Sequence, residues 1–176
     1  MAATNGGDRV VERPEFSAFV AARSPALLRT ARLLTGDWAS AEDLLQDTLA
    51  TCWRRWSRIE SNPEPYVRRV MVNAYLARSR RFWNRERATD VLPDTPVDDR
   101  SDQVAVAQEV EAALRGLPGR QRAVVVLRFF DDLSEKETAR ALGVSVGTVK
   151  SQTSRALARL RVDEGLAAER PTTEVS

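Results

Sequence analysis

The chain has 176 residues, room for one medium domain or two small ones, and its 43% hydrophobic and 30% charged residues are the balance of a globular protein. It contains no histidine and a single cysteine, Cys52, which removes the commonest general base and metal ligand and any intrachain disulfide. A net charge of +2 permits nucleic-acid binding without requiring it; no apolar run approaches a membrane span, and residues 1–13 lack the hydrophobic stretch of a signal peptide. The reading is a cytoplasmic chain that is not an enzyme: no nucleophile–base pair, metal cluster or phosphate loop is visible, so no catalytic residue, metal or cofactor is expected.

Residues 1–13 read as a disordered N-terminus and 14–87 as a first helical block. Phe16, Phe19, Val20, Leu27, Leu28, Ala31 and Leu34 mark one helical face, with Pro25 as a place to bend and Gly36-Asp37 as the break. A second helix opens on Ser40-Ala-Glu-Asp43, the pattern of a capping box. Its apolar side holds Trp38, Ala41, Leu45, Leu49, Cys52, Trp53 and Trp56. Residues 61–65 (SNPEP) read as a loop, and a further helix as spanning about 66–81. Residues 88–102 (ATDVLPDTPVDDRSD) are rich in Pro and Asp and lack an apolar period, which marks a flexible linker.

The second block covers 103–166. Val104, Ala107, Val110, Leu114 and Leu117 step at helical spacing. Residues 124–127 (VVVL) have the β-propensity of a strand. They follow Pro118, which suits a first helical turn, and lie in an apolar segment ending at Phe130, so they are read as helix. Ser134-Glu-Lys-Glu137 is another capping-box pattern, opening a helix that stops at Gly143; a last helix begins near Ser145, and 167–176 read as a disordered tail. The fold class that follows is all-α: two small helical domains joined by a flexible linker.

Residues 134–160 carry the sharpest signal, that of a helix-turn-helix. Ala139 is small enough for two helices to approach, Gly143 suits the turn, and Leu142, Val144 and Val149 are apolar where the helices must meet. Ser145 caps the second helix. Thr148, Lys150, Ser151, Gln152, Ser154 and Arg155 remain for the exposed face, where they would meet base edges and phosphates. From 138 to 162 there is no acidic residue, while Arg140, Lys150, Arg155, Arg159 and Arg161 are basic.

With these residues in view, the run LPGRQRAVVVLRFFDDLSEKETARALGVSVGTVKSQTSRALARLR (117–161) resembles region 4 of sigma factors. AEDLLQDTLATCWRRW (41–56) resembles region 2.2 and the start of region 2.3, and PEPYVRRVMVNAYLARSRR (63–81) resembles region 2.4. Two domains in this order, with no room for regions 1.1 or 3, are similar to the extracytoplasmic-function (ECF, group IV) sigma factors of the sigma-70 family, in wording nearest an actinobacterial SigE-like branch. The chain departs from a general helix-turn-helix at Thr138, where Ile or Val is usual, and at Gln152, near which a branched apolar residue is common.

The resemblance implies an alternative sigma factor that binds core RNA polymerase and directs promoter recognition, DNA melting and transcription initiation. It assigns Asp43, Gln46 and Asp47 to the polymerase β′ clamp helices. It assigns Trp56, Asn62, Arg68, Asn73, Arg80 and Arg81 to the −10 element, with Asn73 and the 61–65 loop sharing a pocket for a flipped base. By spacing alone Trp53 and Trp56 are better read as core, and for Trp56 both uses stay open. Region 4 would contact the β flap and the −35 element through Ser145, Thr148, Lys150, Ser151, Gln152 and Arg155, with Lys150 and Arg155 on phosphates and Ser151 foremost on bases. An anti-sigma protein is left open as a third partner. The main alternative is a stand-alone helix-turn-helix regulator, which would bind duplex DNA without polymerase; a helical adaptor with no DNA role would support no transcription.

Overall fold

Each boundary of the first helical block has a local chemical cause. The computed structural model describes residues 13–59, 62–86 and 102–168, and the regular structure among them is entirely helical. Helix α1 (Pro14–Thr35) places its proline at the first position, where no N–H partner is lost, and ends at Gly36. That glycine has φ +91° and donates its N–H to the Arg32 carbonyl at 2.8 Å. The helix continues through Pro25 rather than ending there.

Helix α2 (Trp38–Arg55) corrects the expected cap. Asp37 is the N-cap, and its carboxylate accepts from the Ser40 N–H at 2.8 Å, so Ser40 is the capped residue. Helix α3 (Glu64–Glu86) likewise takes in the end of the expected 61–65 loop, because Pro65 fits a first turn as well as a loop. The helix also runs past residue 81. The three helices bury Leu27, Ala31 and Leu34 of α1, Leu44, Leu45 and Cys52 of α2, and Val67, Met71, Val72 and Tyr75 of α3. Cys52 is fully buried, and desolvation pushes its thiol up to about 11, as suits a small core residue.

The second block consists of α4 (Asp102–Arg115), α5 (Gly119–Val125), α6 (Glu135–Leu142) and α7 (Val146–Ala168). Residues 124–127 are helical, but α5 leaves the α-helical path at Val126 and continues as one π-turn to Phe130, with Pro118 standing just before the helix as its N-cap. The capping box at Ser134 and Glu137 forms in both directions. Asp102 belongs to α4 and residues 167–168 to α7 rather than to linker and tail. The expected N-terminal segment through residue 12, the linker over 88–101 and the tail from 169 lie outside the described residues. Arg13 is ordered: it donates to the Trp53 carbonyl at 2.6 Å and lies over the Trp53 ring.

The two blocks share a core. Leu114, Leu117, Ala123, Val125, Val126, Leu127, Ala141 and Ala156 join the buried cluster of α1–α3. A smaller cluster, Val124, Ala139 and Val149, holds α6 against α7. Thr138 is completely buried, and its hydroxyl has no hydrogen-bond partner among the described residues. An unpaired buried hydroxyl is a cost that a methyl group avoids, so Thr138→Val is expected to stabilise the protein by about 1 kcal/mol, roughly 2–4 °C in Tm for a chain of this size. Thermal unfolding followed by circular dichroism checks this; a lower Tm would mean that the hydroxyl finds a partner in solution.

Candidate nucleic-acid interface

Helices α6 and α7 form the expected helix-turn-helix. Gly143 closes α6 in the left-handed conformation (φ +64°), and Val144 donates its N–H to the Ala139 carbonyl at 3.0 Å. The Ser145 hydroxyl accepts from the Thr148 N–H at 3.1 Å and lies 2.9 Å from the Thr148 hydroxyl, capping α7. Val149 and Ala156 are fully buried, one helical face apart from Lys150, Ser151 and Arg155, which are exposed. The Lys150 ammonium lies 3.7 Å from Glu135, and the Ser151 hydroxyl donates to the Thr148 carbonyl at 3.0 Å.

Thr148 and Gln152 depart from the expected exposed face. One turn apart on α7, they are half-buried and line an apolar notch with Leu142, Val144, Val124 and Leu76 of α3. Helix phase accounts for this: both flank the fully buried Val149, on the side where Leu142 and Val144 lie.

In the first block Asp43, Gln46 and Asp47 are all exposed on one edge of α2, opposite the buried Leu44, Leu45 and Thr48. Asp47 is ion-paired with Arg78 of α3. Arg80 and Arg81 are exposed. Trp56 is half-buried, its ring centre 4.9 Å from that of Phe16 and 5.2 Å from that of Phe19, so core packing holds it here. Asn62 and Asn73, expected to share one pocket, line two different clefts among the described residues. Asn62 is exposed and caps the Glu64 N–H at 3.4 Å, lining a cleft of about 610 Å³ with Arg68 and Arg140. Asn73 lines a different cleft of about 650 Å³ with Arg80, Gly119 and Arg120. Asn73 is also exposed rather than part of the apolar stretch that precedes it.

Two family comparisons match these blocks in turn: Sigma-70 region 2 over residues 19–85 and Sigma-70 region 4 over residues 107–160. The chain belongs to the sigma-70 family of RNA polymerase sigma factors. It is 46% identical to the RNA polymerase sigma-E factor of Streptomyces coelicolor over 84% of each chain. It is 42% identical to the ECF RNA polymerase sigma factor SigM of Mycobacterium tuberculosis, over 76% of this chain and 69% of that one. Among solved structures it is similar to the sigma factor RpoE of Bartonella quintana in complex with the anti-sigma factor NepR, with a TM-score of 0.71 and 28% identity, covering 90% of this chain and all of that one.

This is therefore an alternative sigma factor of the ECF group, a transcription initiation factor rather than a stand-alone regulator: α1–α3 are region 2 and the helix-turn-helix belongs to region 4. None of its described helices is long and apolar enough to cross a membrane. Sequence reasoning missed the contacts between the regions. Asp131 of region 4 meets Thr30 and Arg68 of region 2, partners 101 and 63 positions away, and no local pattern announces such a pair.

Proposed function

We propose that this sigma factor docks on the β′ clamp helices of core RNA polymerase through Asp43, Gln46 and Asp47, and reads the −10 element with α3 and the −35 element with α7. Region 4 also contacts the β flap. The observation that carries the reading is the recognition helix: Val149 and Ala156 are buried behind Lys150, Ser151 and Arg155, which stand exposed on a surface without acidic neighbours on α7 from 146 to 162. On α3, Arg68, Asn73, Arg80 and Arg81 supply cations for phosphates and an amide for a base, with Asn62 at the helix entrance. Trp56 joins them only if its ring leaves Phe16. The chain acts by binding and has no reaction of its own, and it works in the cytoplasm beside the polymerase. An anti-sigma protein is a further partner; the likeness to an RpoE bound to NepR supports this.

Run-off transcription with purified core polymerase, on promoters randomised across the −35 element, tests the reading. Lys150→Ala removes one phosphate contact, so output should fall by a similar factor on all promoters and the salt slope by roughly one unit. Ser151→Ala should act at one or two −35 positions, costing on the order of 1 kcal/mol there. An even loss across all promoters for Ser151→Ala, or a changed base preference for Lys150→Ala, would overturn the assigned orientation of α7. No transcript from core polymerase plus this chain would overturn the function.

A further inference from the structure

Two clefts of nearly equal size open between region 2 and region 4, and their chemistry differs. The cleft of about 610 Å³ at Arg68 is lined by carboxylates as well as arginines, and Glu64 pairs there with Arg23 and Arg68. The cleft of about 650 Å³ between α3 and the start of α5 is lined by Arg80 and Arg120 and by no carboxylate. Both arginines are exposed, and neither forms an ion pair among the described residues. A guanidinium stays charged at any physiological pH. Two unneutralised positive charges, one from each region, therefore line the same space. An anion between them removes their repulsion and gains charge-assisted hydrogen bonds from both planar forks, a geometry that suits phosphate.

The remaining walls suit a ring rather than a second anion. Leu76 of α3, Pro118 and Leu142 of α6 are apolar, and the exposed Asn73 amide both donates and accepts. The volume lies within the roughly 300–1,000 Å³ of small-molecule sites and is more than a lone phosphate fills. Gly119 keeps the lining open: a Cβ there would run into the Ser79 hydroxyl of α3.

We propose that this cleft binds a nucleoside diphosphate, with its phosphates on Arg80 and Arg120 and its base on the apolar wall beside the Asn73 amide. The site is separate from the −10 role proposed above for Asn73 and Arg80, because it needs Arg120 of region 4 and takes a small ligand on the free chain. A nucleotide held there touches both regions at once. It stabilises the arrangement in which they line one cleft, to an extent set by its concentration.

Isothermal titration calorimetry on the full chain, with ADP as the probe, reads the site directly; adenosine and pyrophosphate supply the two halves of the ligand separately. ADP should bind one to one and more tightly than either half, and Tm should rise with its concentration. Arg80→Ala and Arg120→Ala should each weaken ADP binding about tenfold or more, the loss of one charged hydrogen-bonding partner. Gly119→Ala should weaken it without a change of charge, by filling the lining at Ser79. Arg69→Ala removes the same charge from an exposed position of α3 outside the cleft and should leave ADP affinity unchanged. No binding heat and no Tm shift at millimolar ADP overturn the site. Equal losses in Arg69→Ala and Arg80→Ala also overturn it, since ADP would then be drawn to a basic surface at large. Pyrophosphate binding as tightly as ADP overturns the nucleoside assignment. A single-stranded oligonucleotide that loses the same factor of affinity in Arg120→Ala overturns the small-molecule assignment, because the cleft would then hold nucleic acid.

Discussion

Replacing Asp43 and Asp47 together with arginine should weaken assembly with core polymerase roughly a hundredfold while leaving the protein folded. Both side chains are exposed on the edge of α2 remote from Leu44, Leu45 and Thr48, so no core contact is lost. The ion pair from Asp47 to Arg78 does disappear, but its partners are 67% and 39% exposed, and such a surface pair contributes about 0–1 kcal/mol. If the docking partner is basic, the reversal turns two attractions into repulsions. Like-charge juxtaposition costs several kcal/mol, and about 3 kcal/mol is roughly a hundredfold in Kd. Native gel shift or fluorescence titration of core polymerase with labelled sigma factor reads this directly. Arg78→Ala is the control, because it removes the same intramolecular pair and keeps both carboxylates. Wild-type affinity in the double variant would remove this edge of α2 from the polymerase interface.

The second large effect is expected at Arg122, whose importance is structural. Its guanidinium donates to the carbonyls of Leu34 at 2.9 Å, Arg115 at 2.6 Å and Leu117 at 3.4 Å. It thus joins the C-terminus of α1 to the α4–α5 connection, where helix-end carbonyls otherwise need partners. Arg115 reinforces the same corner by donating to the Gly36 carbonyl at 3.3 Å. Burial draws the Arg122 pKa down, with Tyr75 opposing, yet an arginine stays charged. Arg122→Met keeps an unbranched side chain and removes every donor. Bonds from a charged group contribute more than neutral ones, and relief of the partnerless buried Nε offsets part of the loss. The net destabilisation is expected at about 2–3 kcal/mol, a Tm lower by roughly 4–12 °C. Arg159→Met, on the exposed side of α7, should change Tm little. Equal melting of the two variants would show that water replaces Arg122 at no cost.

The helix-turn-helix was legible almost residue by residue, because its determinants are local. A capping box, a glycine stop, a serine cap and an apolar residue at the crossing are set by neighbours three or four positions apart. The exposed edge of α2 was legible for the same reason of helical period. Boundaries were less so: Asp37 and Ser40 are both good caps by type, and Pro65 suits a loop or a first turn equally, so composition alone does not choose between them.

By itself, then, the sequence determined the helices, their order, the two blocks and the exposure of Lys150, Ser151, Ser154 and Arg155 on α7, since periodicity and capping act within a few residues. The tertiary structure alone decided how the blocks meet. It set Thr148 and Gln152 into a notch shared with Leu76, separated Asn62 from Asn73 into two clefts, packed Trp56 on Phe16, gave Arg122 the Leu34 carbonyl and brought Asp131 to Thr30 and Arg68. These contacts join residues some 40 to 100 positions apart in sequence or depend on which helix covers which flank. Their energy comes from desolvation and geometry at the meeting surface, which no local pattern of residues encodes.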